Sequence, residues 1–341
     1  MAIDRDINAG LEAGLRFAMV LPAQGSSIDL RWDAIAHWKP EQGFLWVHLE
    51  RDDPRAQAWV REAAGLDPLV AMSLLAEESR PRVEDVDDDL LVVLRGVDKR
   101  DDGSEAQLVP LHIWMEADRC ITLRDKGHNL TALRDLRLGM MTGKGPRTAG
   151  GLMARIADKV ADHLGILVAE MEDGLSDIED RIEQLRDGPA VRADLASVRR
   201  RVVQLRRYLG PQRDALYRLR HDDASWLDAQ AKTHLREVND RLVRHLEDLD
   251  EIRQRATIVQ EELGAMVAEQ TNRNTFALSI VSVVMLPMTF VTGFFGMNTG
   301  ALPFGAEHPD GTVIATAIIG MVGMATALVL RYGIRGKRGD R

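Results

Sequence analysis

The sequence predicts an α/β cytoplasmic domain, a long helical stalk and two C-terminal transmembrane helices, and three observations lead to this fold class. Short runs rich in Val, Ile, Leu and Trp alternate with helical segments in the first part of the chain. From Leu152 onward Gly and Pro become scarce, and apolar residues recur every three or four positions. Two stretches near the C-terminus, 274–306 and 311–330, contain no Asp, Glu, Lys or Arg.

Residues 1–150 are predicted to form the α/β domain, because five short segments there have the composition of strands and end near Asp, Gly or Pro. These segments are 15–21, 44–49, 90–94, 108–115 and 120–123. Helices are predicted over 55–64 and 68–77. Residues 151–228 favour long antiparallel helices, with breaks at 187–189, 210–211 and 221–225 where Gly, Pro and Asp occur.

The stalk is predicted as one helix over residues 229–274 that continues into the first membrane span. Residues 229–263 contain no Gly or Pro, and nothing between Met266 and Thr275 stops a helix. An apolar stripe follows the stalk in steps of three or four: Leu235, Val238, Leu242, Leu246, Leu249, Ile252, Ala256, Val259, Leu263 and Met266. Such a stripe is typical of the seam of a helical bundle or coiled coil. A single helix over 232–295 would be about 96 Å long at roughly 1.5 Å per residue.

Residues 275–295 and 313–330 are the predicted transmembrane helices, joined by an external loop over 296–312. The first span would be about 31 Å long as a helix, which matches a bilayer core of about 30 Å. The second span is just long enough to cross. The alternative is a buried helical hairpin in the core of a soluble protein, which we consider less favoured for two such runs this close to the C-terminus.

The distribution of charge predicts the orientation. The tail, 331–341, carries five bases and the loop carries none, so the positive-inside rule places the tail in the cytoplasm and the loop outside. Two spans put the N-terminal part on the tail's side, and its first residues lack an apolar segment of signal-peptide length. The single Cys120 excludes an intramolecular disulfide and suits a reducing compartment. We therefore expect a bacterial cytoplasmic (inner) membrane protein with both termini in the cytoplasm.

Composition also excludes some functions. Only three of the 53 acids and five of the 44 bases follow Arg273, so residues 1–273 carry a net charge of −11. This acidic excess would repel phosphates and argues against a nucleic-acid partner. No nucleophile, acid pair or phosphate-binding loop stands in a recognisable context, so the sequence predicts neither an enzyme nor a cofactor.

Small polar residues follow one side of the predicted first span. Thr275, Ser282 and Thr289 recur every seven residues, which is close to two helical turns. With the residues on the adjacent line they form what we call the polar stripe: Asn272, Thr275, Ser279, Ser282, Leu286, Thr289 and Gly293. The same register continues in the stalk through Glu261, Gln254 and Glu247, here called the stalk funnel residues. The alternative is that the hydroxyls only bond to backbone carbonyls of their own helix.

A water-lined stripe would require several copies of the chain, since two spans cannot enclose a pore. The stripe has no Asp, Glu, His or Cys, so a cation held through its water shell fits better than one ligated directly. Pro287 removes a backbone hydrogen bond inside the span and predicts a bend. Gly320, Gly323 and Ala327 in the second span suit close helix packing.

The end of the first span carries a motif. Residues 286–290 read Leu-Pro-Met-Thr-Phe, and Gly296, Met297 and Asn298 follow at the external end of the span. In this position the two motifs resemble those of the CorA family of divalent-cation transporters. The resemblance implies a homopentamer in which the long helix and first span form a central funnel and the second span lies outside it. It also implies that Asn298 holds a hydrated cation at the external mouth, in a turn shaped by Gly296 and Met297.

The partners implied by this resemblance are further copies of the same chain, the lipid bilayer and divalent cations. The loop 299–305, Thr-Gly-Ala-Leu-Pro-Phe-Gly, differs from the acidic loop of magnesium channels and is similar to the ZntB branch. This favours zinc as the transported ion, with a proton gradient as a candidate driving force. Magnesium, nickel and cobalt remain alternatives, and so does a membrane-anchored coiled-coil scaffold or metal sensor.

Zinc prefers His and Cys ligands when it sheds water, and the polar stripe offers neither, so the metal-ligating residues are unknown. In the external loop Glu307, His308 and Asp310 are candidates for attracting cations, with a merely solvated loop as the alternative. The acidic segment 84–89 could be a cation sensor between subunits, but a solvated turn is the favoured interpretation. The other eight histidines are expected to be surface or packing residues.

Overall fold

The structure, a computed structural model, describes residues 12–77, 80–98, 106–143, 145–183, 188–296 and 310–336. Contacts within the chain divide it into two units, Met1–Val259 and Gln260–Arg341, which are treated separately.

The first unit is built on a seven-stranded sheet. Its strands are β1 (Leu15–Leu21), β2 (Ile28–Leu30), β3 (Phe44–Glu50), β4 (Arg82–Val86), β5 (Asp89–Asp98), β6 (Gln107–Met115) and β7 (Arg119–Arg124), in the spatial order β2-β1-β3-β7-β6-β5-β4. The central pair β3 and β7 is parallel, with Leu45 opposite Arg119 and Glu50 opposite Arg124, and the other neighbours are antiparallel. The sheet is therefore mixed.

One face of the sheet packs against three short helices, α1 (Trp32–Ile35), α2 (Pro54–Ala58) and α3 (Pro68–Leu74). Alternate residues such as Leu45, Val47 and Leu49 point into this core, as the two-residue period of a strand requires. The carboxylate of Asp53 caps α2 by accepting the Arg55 N–H at 2.9 Å, and Asp67 caps α3 in the same way. A π-helical turn, Trp59–Ala63, extends α2.

The other face is covered by α4 (Thr131–Met141), α5 (Ala149–Glu183) and α6 (Gly188–Arg220). Packing on this face is close at Gly96 of β5, where an added Cβ would lie 2.6 Å from the Leu130 side chain. The sheet therefore lies between two helical layers, which confirms the predicted α/β architecture.

All five predicted strands are present, and β1 has the predicted bounds. Strands β2 and β4 were not predicted from the sequence. Strand β2 has only three residues and is mostly exposed, and the charged residues of β4 suggested a turn. Both lie at the edges of the sheet, where one side faces solvent and charged residues prevent edge-to-edge association. Helix α4 was not predicted from the sequence either.

The predicted helix break at 210–211 is wrong. Helix α6 continues through Pro211 to Arg220, although proline in a helix interior costs about 3 kcal/mol. Leu209 and Leu216 on either side of Pro211 are buried, and the buried Gln212 side chain accepts the Arg95 N–H of β5 at 2.6 Å. These tertiary contacts outweigh the local preference. The helix ends predicted near 187 and 221 agree with the end of α5 at Glu183, the start of α6 at Gly188 and its end at Arg220.

Helix α7 (Ala229–Phe295) contains 67 residues and begins in the first unit. Its bounds agree with the single long helix predicted from the lack of breaking residues. The second unit contains the rest of α7 together with α8 (Gly311–Gly336).

Acidification should destabilise the first unit through His112 of β6. Burial lowers the pKa of His112 below 6.5, a hydrogen bond to the Leu74 carbonyl opposes this, and Arg51 lowers the pKa further. The unfolded chain therefore takes up this proton near pH 6.5 while the native state does not, so the free energy of unfolding falls as the pH drops below that value.

His112→Asn, which retains an N–H donor, should flatten this decrease between pH 7 and 5 by up to about 1.4 kcal/mol per pH unit. Unfolding of the full chain in detergent across this pH range measures the slope, and the same substitution at the exposed His37 is the control. An unchanged slope in His112→Asn would show that another group is responsible.

Candidate functional site on the long helix

Helix α7 starts at a clear capping signal. The Asp228 carboxylate accepts the backbone N–H of Ala231 at 2.7 Å, which satisfies one of the free N–H groups of the first turn. The helix then proceeds without Gly until Gly264 and passes through Pro287, whose missing N–H leaves the Val283 carbonyl without its helical donor.

One face of α7 is buried in the first unit. The buried residues belong to the predicted apolar stripe: Leu235, Val238, Leu242, Leu249, Ile252, Ala256 and Val259. Two arginines beside this face reach helix α5, where Arg241 binds Asp158 at 2.7 Å and Arg255 donates to Glu179 at 3.2 Å. These contacts determine which side of the helix packs and which side stays exposed.

The stalk funnel residues lie on the exposed side. Ala256 and Gln254 are two positions apart, which separates them by about 200° around a helix of 3.6 residues per turn. Because positions seven apart return to the same side, Glu247 and Gln254 share one exposed line, and Glu261 is exposed as well. No described residue of the chain covers this side.

The polar stripe is also exposed in the second unit. All seven of its residues, Asn272, Thr275, Ser279, Ser282, Leu286, Thr289 and Gly293, are exposed, and Leu286 is 75% exposed. Large apolar side chains on the same segment are exposed too, including Phe276, Leu278 and Phe290. Such a surface needs an apolar environment outside the single chain.

Three of the four hydroxyl groups of the stripe donate to their own helix. Ser279 donates to the Thr275 carbonyl at 2.8 Å, Ser282 to Leu278 at 2.9 Å and Thr289 to Met285 at 2.9 Å. Thr271 and Thr292, which the sequence analysis did not single out, also donate to backbone carbonyls of α7. The bond predicted by the alternative interpretation is therefore present, and each hydroxyl oxygen presents its lone pairs outward.

The described part of the chain contains one helix that is long and apolar enough to cross a membrane. It lies within Ala229–Phe294, where an 18-residue window has a mean hydropathy of 2.0 and none of its residues is buried. In α8 the apolar stretch is shorter, Thr316–Val329. The described residues include no group of three or more His, Cys, Asp or Glu side chains placed to hold a metal ion.

Several predicted site residues fall outside the described ranges, namely Met297, Asn298, Glu307 and His308. Gly296 is exposed, and its N–H donates to the Thr292 carbonyl at 2.9 Å. Asp310 is exposed just before α8, and its carbonyl accepts the Ile314 N–H at 3.0 Å.

The acidic segment 84–89 forms the end of β4 and a turn into β5. Glu84 and Asp87 are exposed, as the interpretation of a solvated turn predicts. Asp88 nevertheless binds the loop before α7, since its carboxylate accepts the Ser225 N–H at 2.7 Å and its carbonyl accepts the Trp226 indole N–H at 2.8 Å. The bonds from Ser225 hold the pKa of Asp88 below its usual value. The turn thus has a structural role.

The described histidines contact carboxylates or backbone carbonyls. His128 bonds to Asp98 at 2.7 Å and His163 to Asp135 at 3.1 Å. Four others bond to backbone carbonyls: His37 to Asp33, His48 to Thr122, His112 to Leu74 and His221 to Tyr217. Two lie beside carboxylates on helices: His234 beside Asp158 and His245 beside Asp248. Each occupies a packing or surface position, which agrees with the expectation from the sequence.

The fold and the long helix define a class of membrane transport proteins. The chain belongs to the family described as CorA-like Mg2+ transporter protein, whose model matches residues 41–332. This is a family of divalent-cation transporters, and the resemblance noted in the sequence is thereby confirmed.

Particular relatives support the assignment. The chain is 36% identical to the divalent cation transporter CmaX of Pseudomonas aeruginosa over 93% of its own length and 95% of the relative's. The structure of full-length CmaX superposes with a TM-score of 0.81 and covers 95% of this chain and 99% of that one. The zinc transport protein ZntB of Yersinia enterocolitica is 30% identical over 84% of this chain and 86% of its own.

A more distant structure has the same fold. The complete CorA magnesium transporter of Methanocaldococcus jannaschii is 17% identical and superposes with a TM-score of 0.78, covering 94% of this chain and 98% of that one. The α/β domain followed by a long helix is therefore the fold of this family.

Within the second unit, Gly323 of α8 meets Met288 of α7. A Cβ atom at Gly323 would overlap the terminal methyl group of Met288, whereas nothing lies within 4 Å of one at Gly320. The Met288 methyl group is the end of a flexible side chain and can shift, so replacing Gly323 with Ile should destabilise the α7–α8 contact by about 1 kcal/mol, the lower end of the cost of overpacking. Thermal unfolding in detergent measures the loss.

Gly320→Ile is the matched control and should stay within about 0.5 kcal/mol of the native chain. Met288→Ala should rescue Gly323→Ile by removing the overlap. Equal effects of the two Ile substitutions would contradict the contact.

Proposed function

We propose that the chain transports divalent metal cations, zinc foremost, across the bacterial cytoplasmic membrane through a pore on the axis of a homopentamer. The polar stripe of α7 lines this pore, and α8 packs outside it. The observation that carries the proposal is the exposed stripe, in which three of the four hydroxyl groups donate within their own helix.

The direction of these hydroxyl bonds indicates the sign of the ion that the stripe can accommodate. Ser279, Ser282 and Thr289 use their O–H groups on backbone carbonyls, so their oxygens are left as acceptors. A hydrated cation binds water through oxygen and turns the water hydrogens outward. A ring of acceptors therefore complements the outer surface of a hydrated cation and does not complement a hydrated anion.

The stalk adds negative charge below the stripe. Five copies of Glu247 and Glu261 around one axis would raise the local concentration of cations at the cytoplasmic end, since fields of one sign are focused in such clefts. Gln254 between them adds polar acceptors without charge. The net charge of −11 over residues 1–273 acts in the same direction.

Zinc is proposed because several relatives are zinc transport proteins of the ZntB type, and the 299–305 loop is similar to that branch. The stripe offers no zinc ligand, so zinc would pass with its water shell. Hydrated zinc, magnesium, cobalt and nickel have equal charge and similar size, and availability then decides much of the selectivity. A proton gradient is the proposed driving force.

The proposed topology has two spans. Helix α8 has 26 residues, or about 39 Å at roughly 1.5 Å per residue, which is enough to cross the bilayer. The bases at Arg331, Arg335, Lys337 and Arg338 follow its apolar part and support a cytoplasmic C-terminus. The N-terminal unit would then lie on the same side of the membrane, and the proposed position of Asn298 is the external mouth.

Purified protein in liposomes that contain a zinc-sensitive dye should give a zinc influx above leak, increased by an inward proton gradient. Asn298→Ala should reduce the influx, because it removes the proposed ring of amides at the mouth. Magnesium, cobalt and nickel should compete with zinc in the same vesicles, each with an apparent affinity within about tenfold of that of zinc, as expected for ions that keep their water. Leak-level signals from the native chain under zinc and magnesium gradients would contradict transport.

Ser282→Leu and Thr289→Leu should each lower the flux about tenfold or more, since roughly 1.4 kcal/mol lost at the barrier lowers a rate tenfold. Thr326→Leu is the matched control, because Thr326 makes the same kind of bond, to the Val322 carbonyl, but lies on α8. Mass photometry should give five copies of the 38.0 kDa chain for the native protein and all three variants. Unchanged flux in both stripe variants would favour the membrane-anchored scaffold or sensor, and a stable dimer would contradict the funnel.

A further inference from the structure

A cavity of about 110 Å³ lies on the face of the sheet that helix α4 covers. Its floor comes from β1, β3 and β7, through residues such as Phe17, His48 and Arg124. Its roof is α4, which contributes Arg134 and Arg137. The volume is several times the roughly 10–15 Å³ that one water molecule needs, so the cavity has room for a small ligand.

Four arginines line this cavity, Arg16, Arg124, Arg134 and Arg137, and none of the lining residues that the structure describes is a carboxylate. The nearest acids stand beside it. Glu50 lies 3.3 Å from Arg16 and 3.9 Å from Arg124, so one carboxylate serves two cations. Asp29 lies 3.9 Å from Arg137 and Asp135 lies 3.8 Å from Arg134. All of these except the Arg16 contact are too long for hydrogen bonds.

Two of the arginines have a buried Nε donor without a hydrogen-bond partner among the described residues. Arg124 is 5% exposed, and its Nε has no hydrogen-bond partner among the described residues. The same holds for Nε of Arg137, whose guanidinium lies 4.9 Å from the centre of the Phe17 ring. Leaving a buried charged donor unpaired is costly, and a phosphate bound by the other N–H groups of these guanidiniums would offset part of this cost.

The pKa values of the neighbouring groups reflect the positive charge of these arginines. Burial lowers the pKa of His48 well below 6.5, and Arg124, Arg16 and Arg137 lower it further, so His48 is neutral near pH 7. Burial and Arg16 together lower the pKa of Arg124 to about 10, against the opposing effects of Glu50 and Asp98. A metal cation would be repelled from this cavity, so it does not belong to the transport path.

We propose that this cavity binds a phosphate-bearing small molecule, with the phosphate between Arg124, Arg137 and Arg16. Planar guanidinium groups bind phosphate oxygens through two parallel N–H donors, which several arginines around one cavity can supply. The apolar side chains of Leu138 and the exposed Met141 border the opening and would contact the organic part. The ligand would join α4 to the sheet, because Arg137 belongs to one and Arg124 to the other.

The full-length protein in detergent provides the test. The probes are adenosine monophosphate, inorganic phosphate and pyrophosphate, compared with chloride and acetate at equal ionic strength. Thermal unfolding and isothermal titration calorimetry should show stabilisation and saturable binding by the phosphate compounds only. Tighter binding of adenosine monophosphate assigns an organic phosphate, whereas equal or tighter binding of inorganic phosphate overturns the contribution of Leu138 and Met141.

Arg137→Gln should weaken the binding of adenosine monophosphate about tenfold or more, as the loss of a charge-assisted bond does. Arg124→Gln should abolish it, and Arg137→Lys, which keeps the charge but loses the planar group, should bind between Arg137→Gln and the native chain. The matched control is Arg236→Gln, because Arg236 is 72% exposed on α7 and outside the cavity. It removes the same charge and should leave binding unchanged.

Two results would overturn the proposal. One is that the phosphate compounds stabilise the protein no more than chloride does. The other is that Arg236→Gln weakens binding as much as Arg137→Gln, since the effect would then follow from net charge alone. If Arg124→Gln does not fold, Arg137→Gln and Arg137→Lys decide the question, because Arg137 lies at the partly exposed side of the cavity.

Discussion

The packing of one face of helix α7 is the constraint on which the rest of the site depends. Leu249, Ile252 and Ala256 are buried, and the bond from Arg255 to Glu179 holds the same side of the helix against α5. Because α7 packs against the first unit with one side only, Glu247 and Gln254 on the opposite side are exposed. The apolar seam therefore determines which residues are available to the proposed pore.

Two separate surfaces of the chain suit ions of opposite sign. Along α7 the hydroxyl groups of Ser282 and Thr289 donate to the helix, and acceptors and carboxylates face outward, which suits cations. Under α4 four arginines and no described carboxylate line one cavity, which suits anions. The total of −9 for the whole chain hides both features, because net charge averages over surfaces that are separate in the fold.

Sequence reasoning succeeded where one local pattern decides the structure. The strands β1, β3, β5, β6 and β7 are apolar runs, and the lack of Gly and Pro over 229–263 predicted the long helix α7. Prediction failed where tertiary contacts decide the local structure. Pro211 lies inside a helix because Leu209, Leu216 and Gln212 are buried there, and β4 is a strand despite its charged side chains because β5 pairs with its backbone.

The amino-acid sequence by itself determined the polar stripe, the seven-residue register and the uncharged C-terminal stretches, because all of these depend on spacing along one helix. The resemblance to the CorA family also came from the sequence, because its motif needs no fold to be recognised. Only the tertiary structure decided that Met288 meets Gly323 and that Arg124 and Arg137 share a cavity. Those residues are distant in the chain or on separate elements, and no periodicity relates them. Their contacts exist only because the sheet and helices pack together.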